Sequence, residues 1–194
     1  YDPIIIDKPL KIVGDPDIDA HGGVGINITS SNVLVENFTV FNGTVGIYAH
    51  TNSGTLSNIT IRNNTVYNNT RGIVFMRVTS SNITNNRVYD STHQGICLWK
   101  NSNGNNVTYN HIWNNGGNGI GLNGTKNNFI YKNDIHHNRI GIWVQKENEI
   151  HYNKIHNNTK WGIKNDGTSP SVLVNATYNW WGANSGPYDP KPLP

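Results

Sequence analysis

The dipeptide Gly-Ile returns seven times, as Gly25-Ile26, Gly46-Ile47, Gly72-Ile73, Gly95-Ile96, Gly119-Ile120, Gly141-Ile142 and Gly162-Ile163, at intervals of 21 to 26 residues. A period of that size marks architectures in which one short structural unit stacks on the next. Each unit carries alternating β-branched segments without helical periodicity, which removes leucine-rich and helical repeats. An independent series runs through Asn64, Asn86, Asn110, Asn133, Asn153 and Asn179, with Phe38 in the equivalent place of the first complete coil. Around it the chain reads apolar-x-x-Asn-x-apolar, giving Ile61 and Val66, Ile83 and Val88, Val107 and Ile112, Ile130 and Ile135, Ile150 and Ile155. These pairs should point inward on either side of a bend. Asparagine suits the bend because its short amide tolerates left-handed backbone and can bond the equivalent amide one coil away. After each Gly-Ile, alternation places Ile47 and Ala49, Ile73 and Phe75, Ile96 and Leu98, Ile120 and Leu122, Ile142 and Val144 inside a tube. Parallel strands would set them in rows about 4.8 Å apart.

The expected product is all-β: one solenoid of parallel strands with seven or eight coils of about 23 residues. It should occupy residues 1–181, leaving 182–194 as a Gly/Pro-containing tail. Composition agrees. Hydrophobic residues make up 35% and charged residues 14%, too uncharged for ordinary disorder and too polar for a membrane protein. The polarity comes instead from 34 asparagines, whose regular spacing fits a repeated turn. A net charge of +3 with scattered Lys and Arg argues against nucleic acid as a partner. No apolar run reaches the roughly 20 residues of a membrane span. Tyr1, in place of an initiator methionine, is expected of a processed or excised chain. A single cysteine, Cys97, leaves no internal disulfide and no multi-cysteine metal site.

The segment Asn-Arg-Val-Tyr-Asp-Ser-Thr-His-Gln-Gly-Ile at Asn86 to Ile96 resembles the right-handed parallel β-helix repeat superfamily. Its members include pectate-lyase-like enzymes, surface proteins and periplasmic proteins of copper-site maturation. The resemblance covers roughly residues 10 to 181. The opening stretch from Ile6 to Gly14 looks like the first rung of such domains. The stretch Tyr178-Asn179-Trp180-Trp181-Gly182, followed by Gly186-Pro187, looks like their closing segment. The resemblance implies the fold but no single activity, because the scaffold hosts lyases, hydrolases, epimerases and inert fibres. Asp90 and His93 stand where some alginate-modifying β-helix enzymes carry an Asp-Pro-His group, but with Ser91 and Thr92 between them.

Once the inward positions are fixed, the remaining ones fall into outward rows. One is aromatic: Phe41, Tyr67, Tyr89, Trp113, His136 and His156, able to stack on sugar rings or simply to stiffen the sheet. Two residues earlier in each coil lie Thr39, Thr65, Arg87, His111, Asp134 and Lys154. If the chain is an enzyme, Arg87, His111, Asp134 and Lys154 are its catalytic candidates. Asp134 would orient His111 as a base while Arg87 or Lys154 neutralised a uronate carboxylate. Candidate metal ligands are His111, His136 and His156, because imidazole suits copper or zinc; His137 and His151 are expected to point elsewhere. A third row, Tyr48, Val74, Cys97, Gly121, Trp143 and Lys164, is bordered by Met76 and Trp99. It is expected to expose a large apolar patch suited to lateral association, with Tyr48, Trp99 and Trp143 as binding candidates. Cys97 should be a small apolar filler there.

Asn-x-Thr sequons occur at Asn27, Asn37, Asn42, Asn58, Asn63, Asn68, Asn82, Asn106, Asn123, Asn157 and Asn175. Asn27, Asn58, Asn82 and Asn106 should face outward. Together these features favour an exported, N-glycosylated structural or carbohydrate-binding surface module, with polysaccharide or neighbouring copies of itself as partners. The competing expectations are a lyase, hydrolase or epimerase of acidic glycans, and a copper-binding protein.

Overall fold

A computed structural model describes residues 1–167 and 174–182. The proposed tail beyond Gly182, with Gly186-Pro187, lies outside the described residues.

The chain winds as an all-β solenoid of about seven turns, and no helix occurs among the described residues. Turn after turn contributes one strand to each of three parallel sheets, and Leu56–Ser57 pairs with Val78–Thr79 in a short fourth. The first sheet has eight strands, including Val45–His50, Arg71–Met76, Ile96–Trp99, Asn118–Asn123 and Ile140–Val144. The second has seven, including Asn82–Thr84, Asn106–Thr108, Phe129–Tyr131 and Glu149–His151. The third also has seven, among them Thr39–Phe41, Thr65–Tyr67, Arg87–Tyr89, His111–Trp113, Asp134–His136 and Lys154–His156. Register follows the repeat: Ile26, Ile47, Ile73, Ile96, Ile120, Ile142 and Ile163 pair successively. The inward apolar residues are buried, from Ala49 and Phe75 to Ile150 and Ile155, with Ile163 half-buried at the end of its row. Such rows hold the tube together, each buried Ile or Val contributing about 1.5–3 kcal/mol.

The asparagine series is a continuous ladder, buried from Asn64 to Asn153 and half-buried at Asn179. Each backbone N–H and each side-chain Nδ2 donates to the Oδ1 of the next coil, at 2.9–3.0 Å from Asn64 through Asn179. Phe38 N–H joins at the bottom by donating to Asn64 Oδ1. The left-handed backbone is not on the ladder residue but one position earlier, at Asn63, Asn85, Tyr109, Lys132, Tyr152 and Tyr178. The ladder amide works by bonding alone, and its predecessor makes the bend.

Two further ladders turn the other corners. Asn115, Asn138 and Asn158 follow the third sheet, joined from below by the Ser91 N–H, with Asn69 in the same place one coil earlier but not bonded to Ser91. Ser81, Asn105, Asn128 and Asn148 precede the second. Gly-Ile recurs because the glycine packs beneath the following coil: a Cβ on Gly119 would lie 2.8 Å from the Gly141 carbonyl oxygen.

The expected apolar patch does not form. Val74, Met76 and Cys97 are buried, although they face away from the tube. The Tyr48 hydroxyl contacts Met76 Sδ at 3.3 Å, and Arg71 donates to Gln94 Oε1 at 2.9 Å beside them. Tyr48 stacks on His50, Trp143 Nε1 donates to Asp166 at 3.0 Å, and Trp99 stays partly exposed beneath Lys100. These three rings do not make one surface. Burial pushes the Cys97 thiol up to about 11, so it is an inert filler at neutral pH.

Candidate functional site

The outward wall of the third sheet carries both expected rows. Strand pairing sets Phe41, Tyr67, Tyr89, Trp113, His136 and His156 in register. The rings stack in sequence, at 5.2 Å for Phe41 on Tyr67, 5.2 Å for Tyr67 on Tyr89 and 4.3 Å for Tyr89 on Trp113. The series continues through Trp113 over His136 at 6.2 Å and His136 over His156 at 5.0 Å. Trp180 closes it, edge-on to His156 at 5.3 Å. Pairing also sets Arg87, His111, Asp134 and Lys154 in successive coils.

The side chains join differently from the expectation. Asp134 does not orient His111; its Oδ1 meets Nε2 of His156 at 3.1 Å, one coil further on. His111 instead meets His136, with the two Nε2 atoms 2.7 Å apart. His136 Nδ1 then reaches Nδ1 of His137 at 2.7 Å. His137 therefore belongs to the cluster, although it occupies a left-handed corner position. His151 does not, being held by Glu149 at 2.7 Å on the second sheet. The Arg87 guanidinium lies over Trp113 at 5.4 Å, and Lys154 is exposed. Asp90 and His93 are exposed on the loop after the third sheet and do not join the group.

Half-burial sets the electrostatics. It lowers the basicity of both His111 and His136 below the ordinary 6.5, and the Asp134 carboxylate only partly opposes this. Neutral imidazoles allow a one-directional relay in which one ring of the pair donates and the other accepts. His111, Asp134 and His136 also bring one donor atom each within 4.8 Å of one another. Two neutral imidazoles and a carboxylate are a donor set that zinc or copper accepts. Of the expected ligands, His156 is engaged with Asp134.

A family model described as right handed beta helix region matches residues 22–177. The chain belongs to that family. Among solved structures, this β-helix is similar to the periplasmic alginate epimerase AlgG, at 22% identity and a TM-score of 0.66, over 82% of this chain and 47% of that one. It is similar to the mannuronan C-5 epimerase AlgE4 A-module of Azotobacter vinelandii, at 18% identity and a TM-score of 0.62, covering 94% and 64% of the two chains. It is also similar to the enzymatically active domain of tailspike protein 2 of bacteriophage CBA120, at 14% identity and a TM-score of 0.56, covering 84% and 36%. This β-helix spans about half the length of the AlgG chain. No curated protein sequence matches it significantly.

These similarities establish the fold, and they correct one expectation. All three neighbours are named as enzymes or enzymatically active domains. The expectation of a structural surface-layer, sheath, fibre or adhesin module is therefore set aside. Among the described residues, no helix is long and apolar enough to cross a membrane.

Proposed function

We propose that this β-helix is the glycan-handling body of a carbohydrate-active enzyme whose substrate is an acidic polysaccharide. The observation that carries this reading is the third-sheet wall, where a stacked aromatic row runs beside the linked His111, His136 and His137 and beside Asp134 paired with His156. Arg87 and Lys154 bracket the group. Aromatic faces suit sugar rings, and the two cations suit a uronate carboxylate. The neutral imidazole pair supplies a base for the acidic C5–H next to that carboxylate. The C5–H bond breaks and its proton passes to the pair, leaving an electron pair delocalised into the carboxylate beside Arg87 and Lys154. Expulsion of the O4 substituent then gives an unsaturated residue, whereas reprotonation from the opposite face gives the epimer. Asp134 with His156 shares the wall with the base and so serves the departing O4 in elimination, while the new C5–H of the epimer comes from the solvent side.

Epimerisation returns a solvent hydrogen to C5, whereas elimination leaves none there. Incubation with alginate and polygalacturonate in deuterated water should give C5 deuterium, unsaturated ends, or both. A chain that produces neither, and no shortened product, on any uronate polymer sinks the proposal. An exported setting fits a polysaccharide substrate, and the outward positions of Asn58 and Asn106 fit glycan attachment there.

A second reading rests on the close approach of donor atoms from His111, Asp134 and His136, namely a zinc or copper site. Purification without chelator followed by metal analysis decides it. Substoichiometric metal, unchanged by His136→Ala, removes the reading.

A further inference from the structure

A second group of rings lies outside that wall, at the corner between the second and third sheets. Tyr109, Lys132, Tyr152 and Tyr178 hold equivalent places in four successive coils, each just before a ladder asparagine. All four are left-handed, with φ of 57, 53, 56 and 59°. In the earlier coils the same place is filled by Asn37, Asn63 and Asn85, with φ of 63, 57 and 56°. Asparagine is the residue that tolerates this conformation, and a bulky side chain there is strained. The fold turns this corner with asparagine, so its geometry gives no reason for tyrosine. Burial gives none either, since Tyr109, Tyr152 and Tyr178 are 52%, 51% and 74% exposed. Backbone strain kept at exposed positions in consecutive coils points to a use.

The rings form one surface. Tyr131 joins Tyr109 and Tyr152 edge-on at 6.4 and 5.2 Å, and Tyr152 stacks on Tyr178 at 5.1 Å. The Lys132 ammonium sits 5.5 Å from the Tyr109 ring and 5.0 Å from that of Tyr131. The neighbouring Tyr131 and Tyr109 raise its basicity.

We infer that this corner is a second glycan-binding track, holding an acidic polysaccharide that runs parallel to the solenoid axis. The occupant follows from the chemistry. Ring faces bordered by hydroxyls and an ammonium present amphipathic contacts to sugars. Repetition at each coil, about 4.8 Å apart, suits a polymer of ring units, and Lys132 selects carboxylates. The track also adjoins the acid-base wall. Lys132 and Asp134, Tyr152 and Lys154, and Tyr178 and Trp180 flank the same ladder residues. This deepens the proposed function by naming where more of the polymer is held, yet it requires no turnover.

The test is the combined variant Tyr109→Asn, Tyr152→Asn and Tyr178→Asn, which installs the residue that the earlier coils use. Affinity for polygalacturonate and alginate is measured by calorimetry, together with thermal unfolding and oligomeric state. The expected result is at least a tenfold loss of affinity with the unfolding midpoint unchanged or raised. Asp134→Ala should bind as the parent does even if turnover is lost, so failure of the enzymatic reading and failure of the track give different results. Unchanged affinity in the triple variant, a lowered midpoint, or a parent that binds neither polymer would overturn the track. So would a dimer that the triple variant converts to monomer at constant glycan affinity.

Discussion

Asp134 reaches forward one coil to His156 at 3.1 Å, while its neighbour one coil back, His111, turns to His136 instead. The wall therefore carries two separate proton-handling pairs. Their strands are aligned, but their side chains cross diagonally between the two outward rows. Two pairs on one face suit a reaction that removes a proton and delivers one.

Asp134→Asn tests that division. It removes the charge that faces His156 while keeping size and position. Turnover on a uronate polymer should fall about 10²–10⁴-fold if the carboxylate takes part in proton transfer. Stability should shift by no more than about 1 kcal/mol, because the pair is partly exposed and such pairs contribute little. Activity within twofold of the parent would remove Asp134 from the mechanism.

The histidine pair gives a pH signature. Burial places the folded-state pKa values of His111 and His136 below 6.5, so the unfolded chain binds protons first as pH falls. Their contribution to stability is fully present above pH 6.5 and is lost as pH drops through the window between 6.5 and the lower folded value. The acid limb of the rate profile should likewise lie below pH 6.5, since the base acts only when neutral. The double variant His111→Gln, His136→Gln should flatten the stability profile across that window. A rate limb above 6.5, or an unchanged stability profile, contradicts the assignment.

The ladders make a sharper stability prediction. The Asn110 side chain accepts from the buried N–H of Asn86 at 2.9 Å and donates to the Ile83 carbonyl at 2.9 Å. Asn110→Ala orphans both groups where water does not reach, which should cost about 2–5 kcal/mol. Asn106→Ala, on the exposed face, loses only a side-chain bond to Asn82 and should stay within about 0.5 kcal/mol. Urea unfolding of the two variants separates these values, and equal midpoints would deny the ladder its structural role.

Much of this was legible in the sequence, for reasons particular residues make plain. The period of Gly-Ile and of Asn64 through Asn179 determines which residues share a row, and strand pairing follows that registry throughout. Period gives the position of each Cα but not the direction of a side chain along the stack. That is why spacing alone pairs Asp134 with His111, whereas its carboxylate meets His156. Nor does it report what covers an outward face, so by pattern alone Val74 and Met76 face solvent, whereas both are buried. The ladder through Asn69, Asn115 and Asn138 was written in the same asparagine spacing, but Ser91 interrupts it. The tyrosine corner had a signal too, in the exchange of asparagine for Tyr109, Lys132, Tyr152 and Tyr178 just before the ladder residue.

The glycine of Gly-Ile supplies the last test, because two glycines in one coil should answer differently to the same substitution. A Cβ on Gly119 would meet the Gly141 carbonyl oxygen at 2.8 Å, Ile135 Cγ2 at 2.8 Å and Asn138 Nδ2 at 2.9 Å. Two of those neighbours are buried side chains in the stack and the third is backbone, so none is free to yield. Gly119→Ala should therefore destabilise by about 3 kcal/mol or more, the upper end of overpacking. A Cβ on Gly124 would meet nothing within 4 Å, but φ is +67° there, so Gly124→Ala should cost about 1–2 kcal/mol from backbone strain alone. Chemical unfolding of the two variants compares close coil contact with conformational freedom. If Gly119→Ala proves the milder of the two, close approach between coils is not what keeps glycine in the repeat.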